Sequence, residues 1–300
     1  MHVQIAAGTL DGDIHLLHHD LTVVTKLQRQ PYAVTSLNRQ ENFLLGCIGK
    51  GARIFDFSRP EAAAVRCYEG HTLPVTSAEF GGEEGRWIFT ASEDKTLKIW
   101  DFRGQGYQTS QTVAAPVLAA TLHGGDTEIL FGDVDGKVGV WDLTANRMKP
   151  LFQARQAVTA LAVETQGDSL MVGLADGGLF VTGENVNADG QTLSITSDES
   201  LKPFYVGSLC NDLTELNVRH TNVVTRCRLY RKNATVTMLS SSLAGTVIAN
   251  ERKISSASGA FDTLLLPSGD ILTSCSDGRL FTESVSVLLT SAGTSLALLV

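Results

Sequence analysis

Three residues of the chain have the types that a serine hydrolase uses: Ser92, His71 and Asp94. In such an enzyme the histidine accepts the proton of the serine hydroxyl, and the carboxylate orients the imidazole ring. That chemistry needs an exposed serine beside an oxyanion hole, which many hydrolases place on a G-x-S-x-G turn. Ser92 instead follows the apolar run 87–91, without that glycine pattern around it. The sequence therefore favours a structural role for these residues over catalysis.

The stretch 70–101 shows which elements would position these side chains. It contains three short runs of β-forming residues, 75–80, 87–91 and 96–101, separated by polar turns. The stretch opens with Gly70-His71 and closes with Trp100-Asp101. This order is typical of one blade of a WD-repeat β-propeller.

In such a blade four polar side chains bond to one another. The indole N–H of Trp100 would donate to the hydroxyl of Ser92, which would meet the imidazole of His71, held in turn by Asp94. A buried polar group without a partner costs about 1–3 kcal/mol, so each member of this structural tetrad needs the others. We predict that His71, Ser92, Asp94 and Trp100 act on stability.

Two sequence markers recur with one period. Aspartates stand 41 and 82 residues after Asp94 and 83 residues before it. The pairs Val34-Thr35, Val75-Thr76, Val117-Leu118 and Val158-Thr159 are spaced by 41, 42 and 41 residues. A period near 41 falls within the ~40–45 residues of a WD repeat. The chain is therefore predicted to be all-β, a seven-bladed WD-repeat β-propeller.

We predict a single β-propeller domain over residues 1–300. Its blades are expected at approximately 1–30 with 294–300, 31–70, 71–113, 114–154, 155–219, 220–258 and 259–293. The first repeat lacks an opening strand and one strand is left over at the C-terminus, so the N- and C-terminal strands should pair and close the ring. The stretch 183–219 is longer than a blade connection requires and is predicted to contain an insertion.

The uncharged stretch 284–300 could be misread as a membrane anchor. A membrane-spanning helix needs about 20 predominantly apolar residues, whereas this stretch is interrupted by serines, threonines and a glycine. Two buried strands around a turn at 291–293 explain it better.

The composition limits the partners, ligands and location that we expect for the chain. The net charge of −8 argues against nucleic acid or an anionic membrane surface as a partner. The five cysteines include no C-x-x-C pair, which favours reduced thiols and a cytoplasmic location. His18-His19 could bind a metal as a pair, but no third ligand is placed nearby. We expect no metal, no cofactor, no small-molecule substrate, no membrane insertion and no enzymatic activity.

Several pieces beyond the general repeat resemble one family. They are the segments 52–57, 69–72, 84–87, 94–101 and 128–133. In this order they resemble the GβL (G-protein-β-subunit-like) subunits of TOR kinase complexes. The resemblance is good over residues 52–143 and can be traced in outline over residues 3–300. The resemblance implies a seven-bladed propeller without catalytic activity that binds and stabilises the TOR kinase domain, alongside other subunits of the complex. Four blades depart from the pattern, with Leu17, Thr182, Asn250 and Glu283 near the tryptophan position.

A second interpretation stays open. The chain could be another WD-repeat interaction scaffold, such as the substrate receptor of a ubiquitin ligase or a trafficking adaptor, and the identity of its partner would discriminate the two.

A candidate partner-binding face follows from the propeller topology. Loops before each first strand gather on one face with the corners between second and third strands, and here those loops carry Tyr32, Leu73, Pro116, Gln156, Asn222 and Phe261. Strand alternation does not require the large side chains of Tyr32, Leu73 and Phe261, and aromatic anchors dominate many interfaces. We hypothesise that this face docks the kinase domain; packing against the neighbouring loop is the alternative.

Overall fold

The computed structural model describes residues 5–82, 85–104, 106–123, 125–164, 169–182, 214–216, 218–232, 235–250, 252–255, 258–282, 286–289 and 291–299. Over these residues the chain forms 28 β-strands and no α-helix. The strands build seven four-stranded sheets. The predicted fold class is confirmed: the protein is an all-β, seven-bladed β-propeller. No helix in the described part of the chain is long and apolar enough to cross a membrane.

The seven sheets, here called blades one to seven, follow one another along the chain. The first contains β28 (Gly293–Leu298), β1 (Ile5–Thr9), β2 (Ile14–Leu17) and β3 (Val23–Lys26). The second contains β4 (Val34–Gln40), β5 (Phe43–Ile48), β6 (Gly51–Asp56) and β7 (Arg66–Glu69). The third contains β8 (Val75–Gly81), β9 (Trp87–Ser92), β10 (Thr96–Asp101) and β11 (Tyr107–Thr112).

The remaining blades keep the same order. The fourth contains β12 (Val117–His123), β13 (Glu128–Asp133), β14 (Lys137–Asp142) and β15 (Arg147–Gln153). The fifth contains β16 (Val158–Val163), β17 (Leu170–Leu174), β18 (Leu179–Val181) and β19 (Thr214–Glu215). The sixth contains β20 (Val224–Lys232), β21 (Thr235–Ser242), β22 (Thr246–Ala249) and β23 (Arg252–Ser255). The seventh contains β24 (Ala260–Leu265), β25 (Ile271–Cys275), β26 (Arg279–Phe281) and β27 (Ser286–Leu288).

The chain divides into two compact units. One comprises Met1–Val117 with Leu264–Val300, and the other comprises Leu118–Thr263. The single domain expected over 1–300 stays a prediction. Of the predicted insertion, residues 183–213 and 217 lie outside the described residues.

The corner between the second and third strands of each blade needs a backbone conformation with positive φ. Glycine supplies it in six blades, at Gly12, Gly49, Gly136, Gly177, Gly245 and Gly278. The third blade uses Lys95 instead, with φ of 68°. Glycine reaches this region without a steric penalty, which explains the Asp-Gly pairs that recur in the sequence.

The pairing of the terminal strands is confirmed. β28 pairs antiparallel with β1, with Leu298 opposite Ile5 and Leu296 opposite Ala7. Two buried strands were predicted around residues 291–293. β28 is one of them, but the prediction is wrong for β27, which is the outermost strand of its sheet and is largely exposed. β1 therefore has a hydrogen-bonded neighbour on both sides, β28 and β2.

A repeated hydroxyl bond joins neighbouring blades. In five places a threonine near the start of a blade's first strand donates to the carbonyl of the residue that opens the next blade's first strand. The pairs are Thr35 to Val75 (3.2 Å), Thr76 to Val117 (3.1 Å), Thr159 to Val224 (2.6 Å), Thr225 to Ala260 (2.8 Å) and Thr294 to Val34. The valine–threonine pairs that mark the period in the sequence are therefore the blade junctions.

Four of the five cysteines lie within the described residues, and none of these four forms a disulfide bond. Cys47, Cys227 and Cys275 are buried, whereas Cys67 is exposed. Burial raises the pKa of the Cys227 thiol well above its ordinary value.

Candidate functional site

The third blade joins four polar side chains into one chain of hydrogen bonds. The indole N–H of Trp100, on β10, donates to Oγ1 of Thr90, on β9, at 2.8 Å. Thr90 Oγ1 lies 2.7 Å from His71 Nε2, and His71 Nδ1 lies 2.9 Å from Asp94 Oδ2. The side chains of His71 and Asp94 are only 1% and 6% exposed. Each buried group thereby has a partner, as stable interiors require.

The protonation states of this network follow from its surroundings. Burial lowers the pKa of His71, and the hydrogen bond to Asp94 opposes that effect only in part. The imidazole is therefore neutral at neutral pH. Because an ionised carboxylate can only accept, the proton is assigned to Nδ1, and Nε2 then accepts the hydroxyl proton of Thr90.

Asp94 connects the loop before β8 to the corner between β9 and β10. Its carboxylate accepts the backbone N–H groups of Thr72 (2.9 Å) and Thr96 (3.0 Å) and the hydroxyl of Thr96 (2.5 Å). Burial alone would raise the pKa of Asp94, but the hydrogen bonds from Thr96, Thr72 and His71 hold it below its ordinary value. The carboxylate thus stays ionised and fixes the turn.

The role predicted for Ser92 is wrong, because the hydroxyl between Trp100 and His71 belongs to Thr90. Ser92 is fully buried; its hydroxyl lies 2.8 Å and 3.1 Å from the carbonyls of Pro74 and Leu73. Thr90 and Ser92 point to the same face of β9, since alternate residues of a strand do so. Only Thr90, one step further along that face, reaches the indole N–H.

Ser92 therefore lacks the surroundings of a catalytic nucleophile. Both ring nitrogens of His71 contact other side chains, Asp94 and Thr90. The Ser92 oxygen accepts the backbone N–H of Asp94 at 3.1 Å and has no exposed surface. This arrangement closes a turn. The structural role of the group, with Thr90 in place of Ser92, stays a prediction.

Aromatic rings enclose the indole of Trp100. Its ring centroid lies 5.6 Å from that of Tyr68 in the second blade and 5.8 Å from that of Tyr107 on β11. The Lys98 ammonium sits 4.0 Å above the Tyr107 ring, which is cation–π geometry. A Cβ atom at Gly70 would lie 3.1 Å from the indole, so the glycine before His71 leaves room for the ring.

The sixth blade contains a reduced version of this network. His220 Nε2 lies 2.9 Å from Ser240 Oγ, and His220 Nδ1 lies 2.5 Å from Thr246 Oγ1. Ala244 stands in the place of the turn carboxylate, and its N–H donates to Ser242 Oγ (3.3 Å). Without a carboxylate against the imidazole, burial lowers the pKa of His220 to about 4, assisted by the charge of Lys253.

The positions where other blades lack the tryptophan are filled in different ways. Leu17 is fully buried. Thr182 Oγ1 accepts the N–H of Leu170 at 3.0 Å, and Asn250 Oδ1 accepts the N–H of Met238 at 2.7 Å. Glu283 lies outside the described residues. In the fourth blade Trp141 is present, and its indole N–H donates to Asn146 Oδ1 at 3.1 Å.

The residues of the candidate partner-binding face precede the first strands of their blades, with one exception. Tyr32 and Leu73 are 62% and 46% exposed. Gln156 and Asn222 are exposed, and Pro116 is half-buried.

Phe261 is the exception, and its predicted loop position is wrong. It is the second residue of β24 and is half-buried. Its carbonyl lies 3.5 Å from the hydroxyl of Ser241. The cause is a shift of register: the carbonyl of Ala260 accepts the Thr225 hydroxyl, and Ala260 opens the strand where blades two to six have valine. Phe261 therefore takes the threonine position of the junction.

Within the described residues, no three His, Cys, Asp or Glu side chains group as metal ligands would. The buried polar groups described above hold turns and blades together.

Comparisons with known proteins agree with the repeat and the fold. The family model described as "WD domain, G-beta repeat" matches residues 63–101. The chain is 29% identical over 147 residues to "Target of rapamycin complex subunit wat1" of Schizosaccharomyces pombe, a match that covers 48% of this chain and 46% of that protein. It is 26% identical over 132 residues to "Target of rapamycin complex subunit LST8" of Mus musculus, covering 43% of this chain and 40% of the relative.

A third relative and one solved structure are also similar to the chain. "Protein LST8 homolog" of Drosophila melanogaster is 29% identical over 141 residues, covering 46% of this chain and 45% of the relative. The matched region thus spans less than half the length of each of these relatives. The solved structure of the computationally designed Ika8 protein superposes with a TM-score of 0.67 at 17% identity, covering 98% of this chain and 87% of that one. At that identity the likeness concerns the fold alone.

Proposed function

We propose that this GβL-like WD-repeat β-propeller is a non-catalytic subunit of a TOR kinase complex, in which it binds and stabilises the kinase domain. The observation that carries the proposal is the similarity to relatives named as TOR complex subunits, at 26–29% identity. The third blade supports a non-catalytic role, because His71 is bonded to Asp94 and Thr90, and the hydroxyl of Ser92 is bonded to the carbonyl of Pro74. We place the complex in the cytoplasm.

The exposed apolar side chains support docking through the corner ends of the sheets. We define a corner end as the end that holds the turn between second and third strands and the residues before the first strand. Five of the large apolar side chains exposed in the described residues lie at corner ends: Leu10, Tyr32, Leu73, Val134 and Leu243. Leu10, Tyr32 and Leu73 belong to the first three blades, within one compact unit, and neighbouring exposed apolar groups can mark an interaction surface.

In the first three blades these corner ends are linked to one another. The carbonyl of Gly12, at the first corner, accepts the N–H of Gln30 at 2.9 Å, just before Tyr32. The carbonyl of Gly49, at the second corner, accepts the N–H of Val75 at 2.8 Å, just after Leu73. Tyr32 packs its ring edge over Gly49, where a Cβ atom would lie 2.8 Å from the ring. Its other side remains exposed, which suits an interface anchor.

We therefore expect Tyr32→Ala combined with Leu73→Ala to weaken kinase binding by about tenfold or more, since both remove exposed anchors. The test is capture of a TOR kinase domain by the tagged full chain, with the melting temperature of the double variant measured alongside. Val23→Ala combined with Leu288→Ala is a matched control, because these side chains are 44% and 71% exposed but lie on outer strands.

The outcomes separate the candidate functions. Loss of capture in the first double variant and not in the control supports docking through the corner ends. If the kinase is captured equally by both, the docking surface lies elsewhere on the chain. A wild-type chain that captures no TOR kinase, but retains ubiquitin-ligase or trafficking proteins, contradicts the proposed function.

A further inference from the structure

A groove lies at the opposite end of the second and third blades from the corners. It is built by the turn after β4, the turn before β9 and the residues that follow β10, and its volume is about 700 Å³. We call it the far-end groove and define it by Glu41, Phe43, Phe80, Arg86, Phe102 and Arg103. Clefts that bind small ligands or short peptide segments are commonly roughly 300–1,000 Å³, so its size is suitable for such an occupant.

The floor of the far-end groove is aromatic and held in place. Phe43 and Phe102 meet edge to face, with ring centroids 5.3 Å apart and planes at 63°. Phe80 lies beneath and is buried. The backbone of Phe102 is fixed from two sides, since its N–H donates to Arg86 (3.0 Å) and its carbonyl accepts from Arg66 Nε (3.2 Å). A floor that needs no ordering on binding loses little entropy when it is occupied.

The rim of the groove is asymmetric in charge. Arg86 and Arg103 stand exposed on the side of the third blade, and among the described residues neither guanidinium forms an ion pair or hydrogen bond. The carboxylate of Asp101 also lines the groove, but it already accepts the N–H groups of Arg103 (2.6 Å) and Gly104 (3.2 Å) and the amide of Gln108 (3.1 Å). Glu41 stands exposed on the side of the second blade. The uncommitted donors are thus the two guanidiniums.

We propose that the far-end groove binds an extended, acidic segment of a partner protein that carries one apolar or aromatic anchor side chain. The anchor packs against the edges of Phe43 and Phe102, where aromatic rings prefer tilted contacts. Carboxylates of the segment pair with Arg86 and Arg103, because guanidinium groups bind carboxylates through two parallel hydrogen bonds. On a chain of net charge −8, these two guanidiniums give an acidic segment two local partners.

The test uses the chain alone, so its result does not depend on any kinase. A fluorescent peptide with a phenylalanine flanked by glutamates is titrated with the full chain, and binding is followed by anisotropy. Arg86→Glu combined with Arg103→Glu should weaken binding by about tenfold or more, since it replaces attraction with repulsion. Phe102→Ala should also weaken peptide binding, because it removes one of the aromatic rings that form the floor of the groove. The matched control is Arg147→Glu combined with Lys50→Glu, two exposed cations outside the groove.

A second peptide, with lysines in place of the glutamates, tests whether binding depends on the sign of the charge. The charge-reversed variant should bind it more tightly than the wild-type chain does. The proposal is overturned if the glutamate peptide does not bind the wild-type chain, if the reversed variant binds it unchanged, or if the control pair loses as much affinity. Melting temperatures within a degree or so of wild type would show that the exposed substitutions leave the fold intact.

Discussion

A single hydroxyl, that of Thr90, completes the polar interior of the third blade. It accepts from the indole of Trp100 and donates to the imidazole of His71, and Thr90 has no exposed surface. Both partners are themselves buried, so no water can replace the hydroxyl without opening the blade. The stability of the network therefore depends on one hydroxyl group, that of Thr90.

We expect Thr90→Val to lower the free energy of unfolding by about 1–3 kcal/mol, because it keeps the shape of the side chain and leaves the indole N–H and the imidazole nitrogen without partners. Urea denaturation measures the change. Thr90→Ser, which retains the hydroxyl, is the matched control and should cost less. Equal stability of wild type and Thr90→Val would show that the network contributes nothing net.

The sequence could predict that such a network exists but not which hydroxyl it uses. His71, Asp94 and Trp100 stand at recognisable places in the repeat, and histidine and tryptophan are rare in the chain, so their spacing indicates the motif. Thr90 and Ser92 are both small hydroxyl residues on the same face of β9, and both are fully buried. Which of them lies against the indole depends on the register of β9 against β10, where Thr90 stands opposite Lys98. That register is set by the packed sheet.

At the scale of elements, the blade junction is a strand-to-strand contact made by one threonine. Thr76 shows its geometry: its hydroxyl contacts the carbonyl of Ala91 in its own blade at 3.2 Å and that of Val117 in the next blade at 3.1 Å. Thr159 repeats this with Gly173 (3.3 Å) and Val224 (2.6 Å). The fourth blade has Leu118 at this position. Junctions are thus unequal along the chain.

Removal of one junction hydroxyl should loosen the two blades that it joins. We expect Thr159→Val to cost about 0.5–1.5 kcal/mol, the net worth of one hydrogen bond, because the Val224 carbonyl loses its donor while the side-chain volume is kept. Thr112→Val, on the exposed face of β11, is the control and should change the unfolding midpoint little. A midpoint for Thr159→Val that matches the control would contradict a role for the junction.

The far-end groove and the position of Phe261 show what periodicity cannot predict. The groove combines side chains from three turns in two blades, and turns carry no alternation that would mark Phe43 or Phe102 as neighbours. Phe261 was expected on a loop because the repeat marker is weak there: Ala260 replaces the valine that opens the first strands of blades two to six. The alternation of residues along the strands was enough to identify the blades. The contacts between blades depend on how the strands align in three dimensions, which the sequence pattern does not show.

For the whole molecule, the first blade depends on both ends of the chain. Leu296, on β28, is fully buried, and Leu299, just beyond the strand, is 5% exposed. The hydroxyls of Thr294 and Ser295 contact the carbonyl of Val34 in the second blade. β28 therefore supplies apolar burial, a ladder of backbone bonds to β1 and the junction to β4.

Deletion of residues 294–300 should lower stability by roughly 3–6 kcal/mol from the two leucines alone, since each buried leucine contributes about 1.5–3 kcal/mol. Thermal unfolding followed by circular dichroism measures the loss. The melting temperature of the Leu296→Ala variant should lie between those of the truncated chain and the wild type. A synthetic peptide with the deleted sequence should raise the melting temperature again, and a scrambled peptide should not. A truncated chain that melts like the wild type would mean that β28 is dispensable.

The pairing of β28 with β1 also has a kinetic consequence. The two strands meet across nearly the whole length of the chain, so their contact has the largest sequence separation in the fold. Loop-closure entropy must be lost before such a contact forms, and folds with many distant contacts fold slowly. Until β28 arrives, β1 presents an unpaired edge that another chain could join. We therefore expect refolding and aggregation to compete at the closure of the first blade, when β28 pairs with β1.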